Sequence, residues 1–321
     1  MSSLPLKKKV KKFAKEQGAD LVGIAGIERY DDAPQNMHPR IVLPNARSLV
    51  VIANRISRGA LVALGKGNHV SYNCYGYGGL CEIMRKTMYS IMCFLEDQGY
   101  TAVPIDPLHS LLTDAPARNI SLRVAAFLAG LGEYGYSKVF LTPEFGPRQR
   151  FGVIITDAPM ESDPLFSAKI CDQCEICVTQ CPANALDPDR GIVTKLAGKK
   201  VKHVYINEAR CAIQHHGLNA DTSPFVSDPF PFDDQYDDFA TIMDRIPPFL
   251  DDKKLYFYQR FHYEFGTYSI CGARGCIRAC AKHLEEIGRI PAFSTPIPLP
   301  KEEMKASTRT AGWWAFESDS A

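Results

Sequence analysis

No stretch of the sequence approaches the roughly 18 uninterrupted apolar residues of a membrane-crossing helix, so no membrane insertion is predicted. Residues 1–30 hold neither an apolar signal core nor a twin-arginine pair, and an exported product is not expected. Charge of one sign is scarce too. The formal net charge is +1, with acids and bases mixed along the chain, which argues against nucleic-acid binding or attachment to a charged bilayer. No Gly-x-Gly-x-x-Gly stands between a predicted strand and a predicted helix, so a Rossmann-type dinucleotide site has no support.

What the chain does have is cysteine, eleven in 321 residues. Without a secretion signal, this density reads as metal ligation in a reducing, cytoplasmic setting rather than as disulfides. Cys171-x2-Cys174-x2-Cys177-x3-Cys181-Pro182 is the bacterial ferredoxin run, in which three thiolates hold one [4Fe–4S] cube and the fourth reaches a second. Cys211, then Cys271-x4-Cys276-x3-Cys280, supply the remaining ligands for two clusters. Zinc in tetrahedral four-cysteine sites is the competing reading, but it does not explain four thiolates crowded into eleven residues. The x4 spacing after Cys271 departs from the commoner x2, and Gly272 and Gly275 make that loop adaptable. Cys74, Cys81 and Cys93 match no ligand pattern and read as ordinary thiols.

Helical and strand patterns alternate up to about residue 165. A helix is predicted over 5–17, with Lys7, Lys8, Lys9, Lys11 and Lys12 on its wet face and Val10 and Phe13 opposite. A docking patch for an acidic electron donor is the other reading of those lysines. Strands are expected at 20–25, 48–56, 100–105, 138–141 and 151–156, and helices at 80–98 and 120–130. The glycine- and tyrosine-rich segment 71–79, with Tyr72, Tyr75 and Tyr77, reads as a loop. The fold class is α+β. Residues 1–164 form a first domain, and residues 165–295 a ferredoxin-like module with an aromatic- and acid-rich insertion at 212–270. An arm at 296–321 wraps the body or a neighbouring subunit, and a homodimer stays open. The insertion's aromatics (Phe225, Phe230, Phe232, Tyr236, Phe239, Tyr256, Phe257, Tyr258 and Phe261) serve packing, or insulate a cluster from water.

A bare ferredoxin does not need so large a folded segment in front of it. The stretch Ala126–Pro147, AFLAGLGEYGYSKVFLTPEFGP, then Arg148 and RFGVIITDAP, followed by the cysteine pattern, resembles the epoxyqueuosine reductase and reductive dehalogenase superfamily. The likeness covers roughly residues 10–285 and is specific at 125–182 and at the cysteines. It implies a nitroreductase-like first domain holding a base-off corrinoid, cobalamin or a relative, near the first cluster. Electrons would arrive from an external low-potential donor such as ferredoxin or flavodoxin and be used on a small organic substrate. By the same resemblance, Cys171, Cys174, Cys177 and Cys280 bind one cluster, and Cys181, Cys211, Cys271 and Cys276 the other.

No Asp-x-His-x-x-Gly motif occurs, which disfavours a histidine-on cobalamin domain. Gly130, Gly132, Gly135, Phe145, Gly146 and Pro147 are expected to approach the corrinoid, turn glycines being the alternative. Asp114 and Asp106 are the candidate proton donors, with Tyr75 or a neighbouring tyrosine as the dehalogenase-like option; each is also an ordinary turn or packing residue. Arg118 and Arg123 are candidate anion anchors or helix ion pairs. The superfamily's twin-arginine leader and helical-repeat extension have no counterpart, and the substrate is not legible. Two other readings stay open: an iron–sulfur carrier or activator of another corrinoid protein, and a reductase whose first domain holds flavin.

Overall fold

The computed structural model describes residues 5–64, 69–107, 120–216, 218–219, 230–233, 238–252, 274–299 and 301. Its centre is a four-stranded antiparallel sheet in the order β1 (Leu21–Gly26), β2 (Ser48–Arg55), β6 (Gln149–Thr156) and β3 (Ala102–Ile105). The unbroken apolar run of β2 follows from burial on both faces, because successive side chains point to opposite sides. Val50 and Ile52 pack with Val10 of α1 (Leu6–Glu16) and with Met84, Met88, Ile91 and Leu95 of α4 (Gly78–Glu96). Leu49, Val51 and Ala53 face Ala125–Ala129, of which α5 is Leu122–Leu128. In helix α1 Val10 is buried and Phe13 stacks on Phe94 with ring centroids 4.6 Å apart, as expected, but Lys7 and Lys11, expected on the wet face, are part-buried against Asp163.

The loop expected at 71–79 is mostly helix. α2 (Arg58–Leu64) is followed by α3 (His69–Gly76), which runs up to α4. Burial overrides the local glycine signal: Tyr72 is 2% exposed and shares an apolar cluster with Leu61, Tyr77 and Leu80. The glycines mark the α3–α4 junction instead. A Cβ on Gly76 would press on the Tyr72 ring at 2.8 Å. Two short strands, β4 (Glu133–Tyr134) and β5 (Phe140–Leu141), pair beyond α5.

The cysteine-rich half contains the one-turn α6 (Ile176–Thr179) and a hairpin of β7 (Leu186–Leu196) and β8 (Lys199–Ile206), which the sequence pattern did not predict. α7 (Glu208–His215), α8 (Phe239–Asp252) and α9 (Arg274–Glu286) follow. Phe230, Phe232, Phe239 and Phe249 pack with Ala209, Ala212 and Ile213 of α7, so these aromatics of the 212–270 segment are core. Phe225, Tyr236 and the aromatics at 256–261 lie outside the described residues. Of the 296–321 arm only the start is described. There Ile297, 1% exposed, joins the Tyr72–Tyr77 cluster. Leu141 of β5 likewise shares an apolar cluster with Leu284 and Ile290, so the cysteine-rich half packs directly on the first.

Candidate cluster centre and reducing site

Cys171, Cys174, Cys177 and Cys280 line one cavity, closed by Gly135, Tyr136, Ser137, Leu141, His283 and Leu284. The chain winds around it by placing two non-glycine residues, Gln173 at φ 61° and Glu175 at φ 60°, in the left-handed region. Such residues persist only where their surroundings hold them there. Part of the hold is Glu133 of β4, whose Oε1 accepts the Ile170 and Cys171 amides at 2.6 and 2.7 Å. The Tyr136 amide donates to Cys171 Sγ at 3.3 Å, a contact type that tunes cluster potential.

Burial pushes the Cys177 thiol up to about 11, helped by Cys171 and Cys174 and opposed by a hydrogen bond with Ser137. Burial, then Cys171, Cys177 and Cys174, raise the Cys280 thiol well above its ordinary value. Four sulfurs lining one cavity, with the Cys174, Cys177 and Cys280 thiols raised chiefly by burial, form a donor set that a bound cationic iron centre would relieve. The residues fit a [4Fe–4S] cluster.

Cys181, Cys211 and Cys276 gather in a second apolar cluster with Cys177, Leu186 and Val204. The Ala185 amide donates to Cys181 Sγ at 3.4 Å. Cys271 lies outside the described residues. Cys74 sits on α3, and Cys81 and Cys93 on α4.

A polar group lies between α3–α4 and α7. The Tyr77 hydroxyl and His215 Nε2 are 3.1 Å apart, and His215 stands one helical turn beyond Cys211. The Arg150 guanidinium carbon lies 4.3 Å from the Tyr77 ring centroid, and its NH2 donates to the Pro107 carbonyl at 3.2 Å. Arg150 Nε is buried without a hydrogen-bond partner among the described residues.

No family model matches the chain. An epoxyqueuosine reductase of Staphylococcus aureus is 25% identical over 207 residues, covering 56% of this chain and 52% of that protein. The tetrachloroethene reductive dehalogenase of Sulfurospirillum multivorans is 25% identical over 215 residues, covering 55% and 40%. The chain is related to both groups of reductases. It spans about half the length of the curated epoxyqueuosine reductases and two fifths of the dehalogenases. Among solved structures, an epoxyqueuosine reductase with a tRNA-Tyr stem loop aligns at TM-score 0.49 and 17% identity, covering 88% of this chain and 83% of that one. A catabolic reductive dehalogenase aligns at TM-score 0.47 and 20% identity, covering 64% and 28%.

The residues named for a corrinoid have close protein neighbours. A Cβ on Gly130 would overlap the Pro164 carbonyl oxygen, and one on Gly132 the Leu141 carbonyl oxygen. On Gly135 it would meet Leu141 Cδ1 and the Val139 oxygen at 3.2 Å. Gly146, at φ +57°, closes a turn with Thr142 and would press on Leu284 Cδ1 at 3.0 Å. Phe145 lies beneath the Arg55 guanidinium, and Pro147 is buried. At the four glycines the space a Cβ would need is already taken by protein atoms, which accounts for glycine there by packing.

The proton-donor candidates separate as well. Tyr75 is 63% exposed on α3, whereas Tyr77 is 8% exposed against His215. Asp106 is engaged by Arg85 in an ion pair, with Nε to Oδ2 at 2.6 Å and NH2 to Oδ1 at 2.9 Å. Asp114 and Arg118 lie outside the described residues, and Arg123 NH1 donates to the Lys138 carbonyl at 3.0 Å. Spacing alone did not single out Glu133, Ser137, Asp172 and His283. His283 Nε2 and Asp172 Oδ2 are 2.8 Å apart beside Cys174. His283 follows Cys280 by three positions, a helical neighbour that periodicity could have flagged.

Proposed function

We propose that the chain is an iron–sulfur reductase in which two [4Fe–4S] clusters carry electrons to a reducing centre beside the first, sheet-containing half. One observation carries the reading: three cysteines of the 171–181 run and Cys280, over a hundred residues away, line one cavity, while Cys181 turns to Cys211 and Cys276. That division is the one a double-cluster ferredoxin needs. Kinship with two groups of reductases favours an enzyme over a bare carrier or activator.

The electron acceptor is proposed to be a corrinoid, on kinship alone. When bound it would supply low-potential reducing chemistry for a small organic substrate. Within the chain's own residues, Tyr77 replaces Tyr75 as the candidate proton donor. Its hydroxyl is held at a defined atom, His215 Nε2, and its buried ring lies under Arg150. An external low-potential donor protein supplies the electrons.

The test is anaerobic cluster reconstitution with added cobalamin, followed by gel filtration and cobalt analysis. Stoichiometric retained cobalt supports the corrinoid reductase. Intact clusters with no retained cobalt would overturn the corrinoid part and favour the activator.

A further inference from the structure

The β7–β8 hairpin leaves the second cysteine set and carries a run of like charge away from it. Between 190 and 202 stand five basic side chains, Arg190, Lys195, Lys199, Lys200 and Lys202, and no acid, in a chain whose net charge is +1. Register and pleat sort them. Val201 and His203, each 8% exposed, turn inward, so Val193, Lys195, Lys200 and Lys202 share the outward face. On that face Lys195 stands directly opposite Lys200, and Val193 opposite Lys202. Like charges facing each other across an antiparallel pair destabilise it. The hairpin therefore carries a charge arrangement that its own fold does not reward.

Neutralisation from within is slight. Lys195 reaches Asp32 at 3.6 Å with both side chains at least half exposed, a weak surface pair. Lys199 Nζ donates to the Phe166 carbonyl at 3.0 Å, and Arg190 stacks on Tyr205. Lys200 and Lys202 have no acidic partner among the described residues. Val193, 56% exposed and opposite Lys202, adds an apolar contact point to this face.

The hairpin is rooted on the second cysteine set. Leu186 at its start and Val204 at its end pack with Cys177, Cys181, Cys211 and Cys276. Lys202 is two residues from Val204, about 7 Å along an extended strand.

We infer that the outward face of this hairpin docks a small acidic protein that carries a low-potential one-electron centre, and seats it over the second cluster. The inference rests on the iron–sulfur reading proposed above. In the step it serves, one electron leaves the donor's reduced cofactor and enters an oxidised cluster, and no bond or proton is exchanged. Opposite charge on the two surfaces steers the encounter and fixes its orientation. A nucleic-acid ligand would also answer to lysines. The root on cluster cysteines and the exposed valine favour an electron-transfer protein.

The experiment follows cluster reduction by anaerobic stopped-flow in the full reconstituted chain, with reduced flavodoxin as donor at low ionic strength. Photoreduction by deazaflavin, which needs no docking, runs in parallel. For Lys200→Glu with Lys202→Glu, the flavodoxin rate constant is expected to fall by about 10-fold or more and to lose most of its salt dependence. The deazaflavin rate stays as in wild type. Lys200→Gln with Lys202→Gln, which keeps the size and polarity of the side chains, is expected to fall in between. Unchanged flavodoxin rates in both variants, with clusters intact and photoreducible, overturn the docking surface and leave the reductase reading standing. Variants that lose affinity for an RNA oligomer while keeping the flavodoxin rate overturn it in favour of nucleic acid. A wild-type chain with no reducible cluster removes the parent reading and this inference with it.

Discussion

Arg58 of α2 holds Glu285 of α9 by two hydrogen bonds, Nε to Oε1 at 2.8 Å and NH2 to Oε2 at 2.7 Å, across 227 residues of chain. Both side chains are at most 9% exposed, so the pair is a buried pin between the sheet-containing half and the helix that carries Cys276 and Cys280. Removing one partner leaves a buried charge alone. Glu285→Ala is expected to cost about 3–5 kcal/mol in urea unfolding, while the double change Arg58→Met with Glu285→Leu costs far less. Equal losses in single and double variants would show that the pair contributes packing only.

Asp163 ties α1 to β1: Lys7 and Lys11 reach its carboxylate at 2.8 and 2.6 Å, and the Ile24 amide donates to it at 2.9 Å. Burial works to raise its pKa, but the bonds from Lys11, Lys7 and Ile24 outweigh burial and hold it below the ordinary value. A depressed carboxylate contributes stability above its unfolded pKa, near 4, and loses it as pH falls through the folded value. Wild type is therefore expected to lose more stability than Asp163→Asn between about pH 5 and 3. Parallel losses in the two proteins would remove Asp163 from the acid response.

Gly132→Ala tests whether the glycines of 130–135 serve packing. The new Cβ would overlap the Leu141 backbone carbonyl, which cannot rotate away as a side chain would. A loss of about 1–3 kcal/mol is expected already in the cofactor-free protein. A variant of wild-type stability that fails to hold a cofactor would restore the ring-contact role.

Tyr77 and Tyr75 sit two residues apart with opposite environments. Once a substrate is found by screening, Tyr77→Phe is expected to slow turnover by about 10²–10⁴-fold with unchanged iron content. Tyr75→Phe is expected to stay near wild type. The reverse order would move the proton donor to the exposed face of α3.

The ferredoxin run was legible because ligand spacing is a local property. The same holds for β2 and α4, whose apolar periodicity is read within a single element. The segment 71–79 was misread because Tyr72 gains its burial from Leu61 and Leu80, contacts no local window contains. The hairpin was overlooked because most of β7 is exposed, leaving little alternation to detect. Gly130 and Gly132 illustrate a further limit. A sequence shows that backbone must come close to something there, but only the fold shows that the something is Pro164 and Leu141. The Arg85 partner of Asp106 is likewise set by the fold and not by any local window.

The central claim is that two clusters divide the cysteines as Cys171, Cys174, Cys177 and Cys280 against Cys181, Cys211, Cys271 and Cys276. Iron and acid-labile sulfide analysis with EPR, on anaerobically reconstituted wild type, Cys174→Ser and Cys211→Ser, tests it most directly. About eight irons in wild type and about four in each variant are expected, with a different cluster signal surviving in each. Zinc in place of iron, or the same signal lost from both variants, would contradict the account.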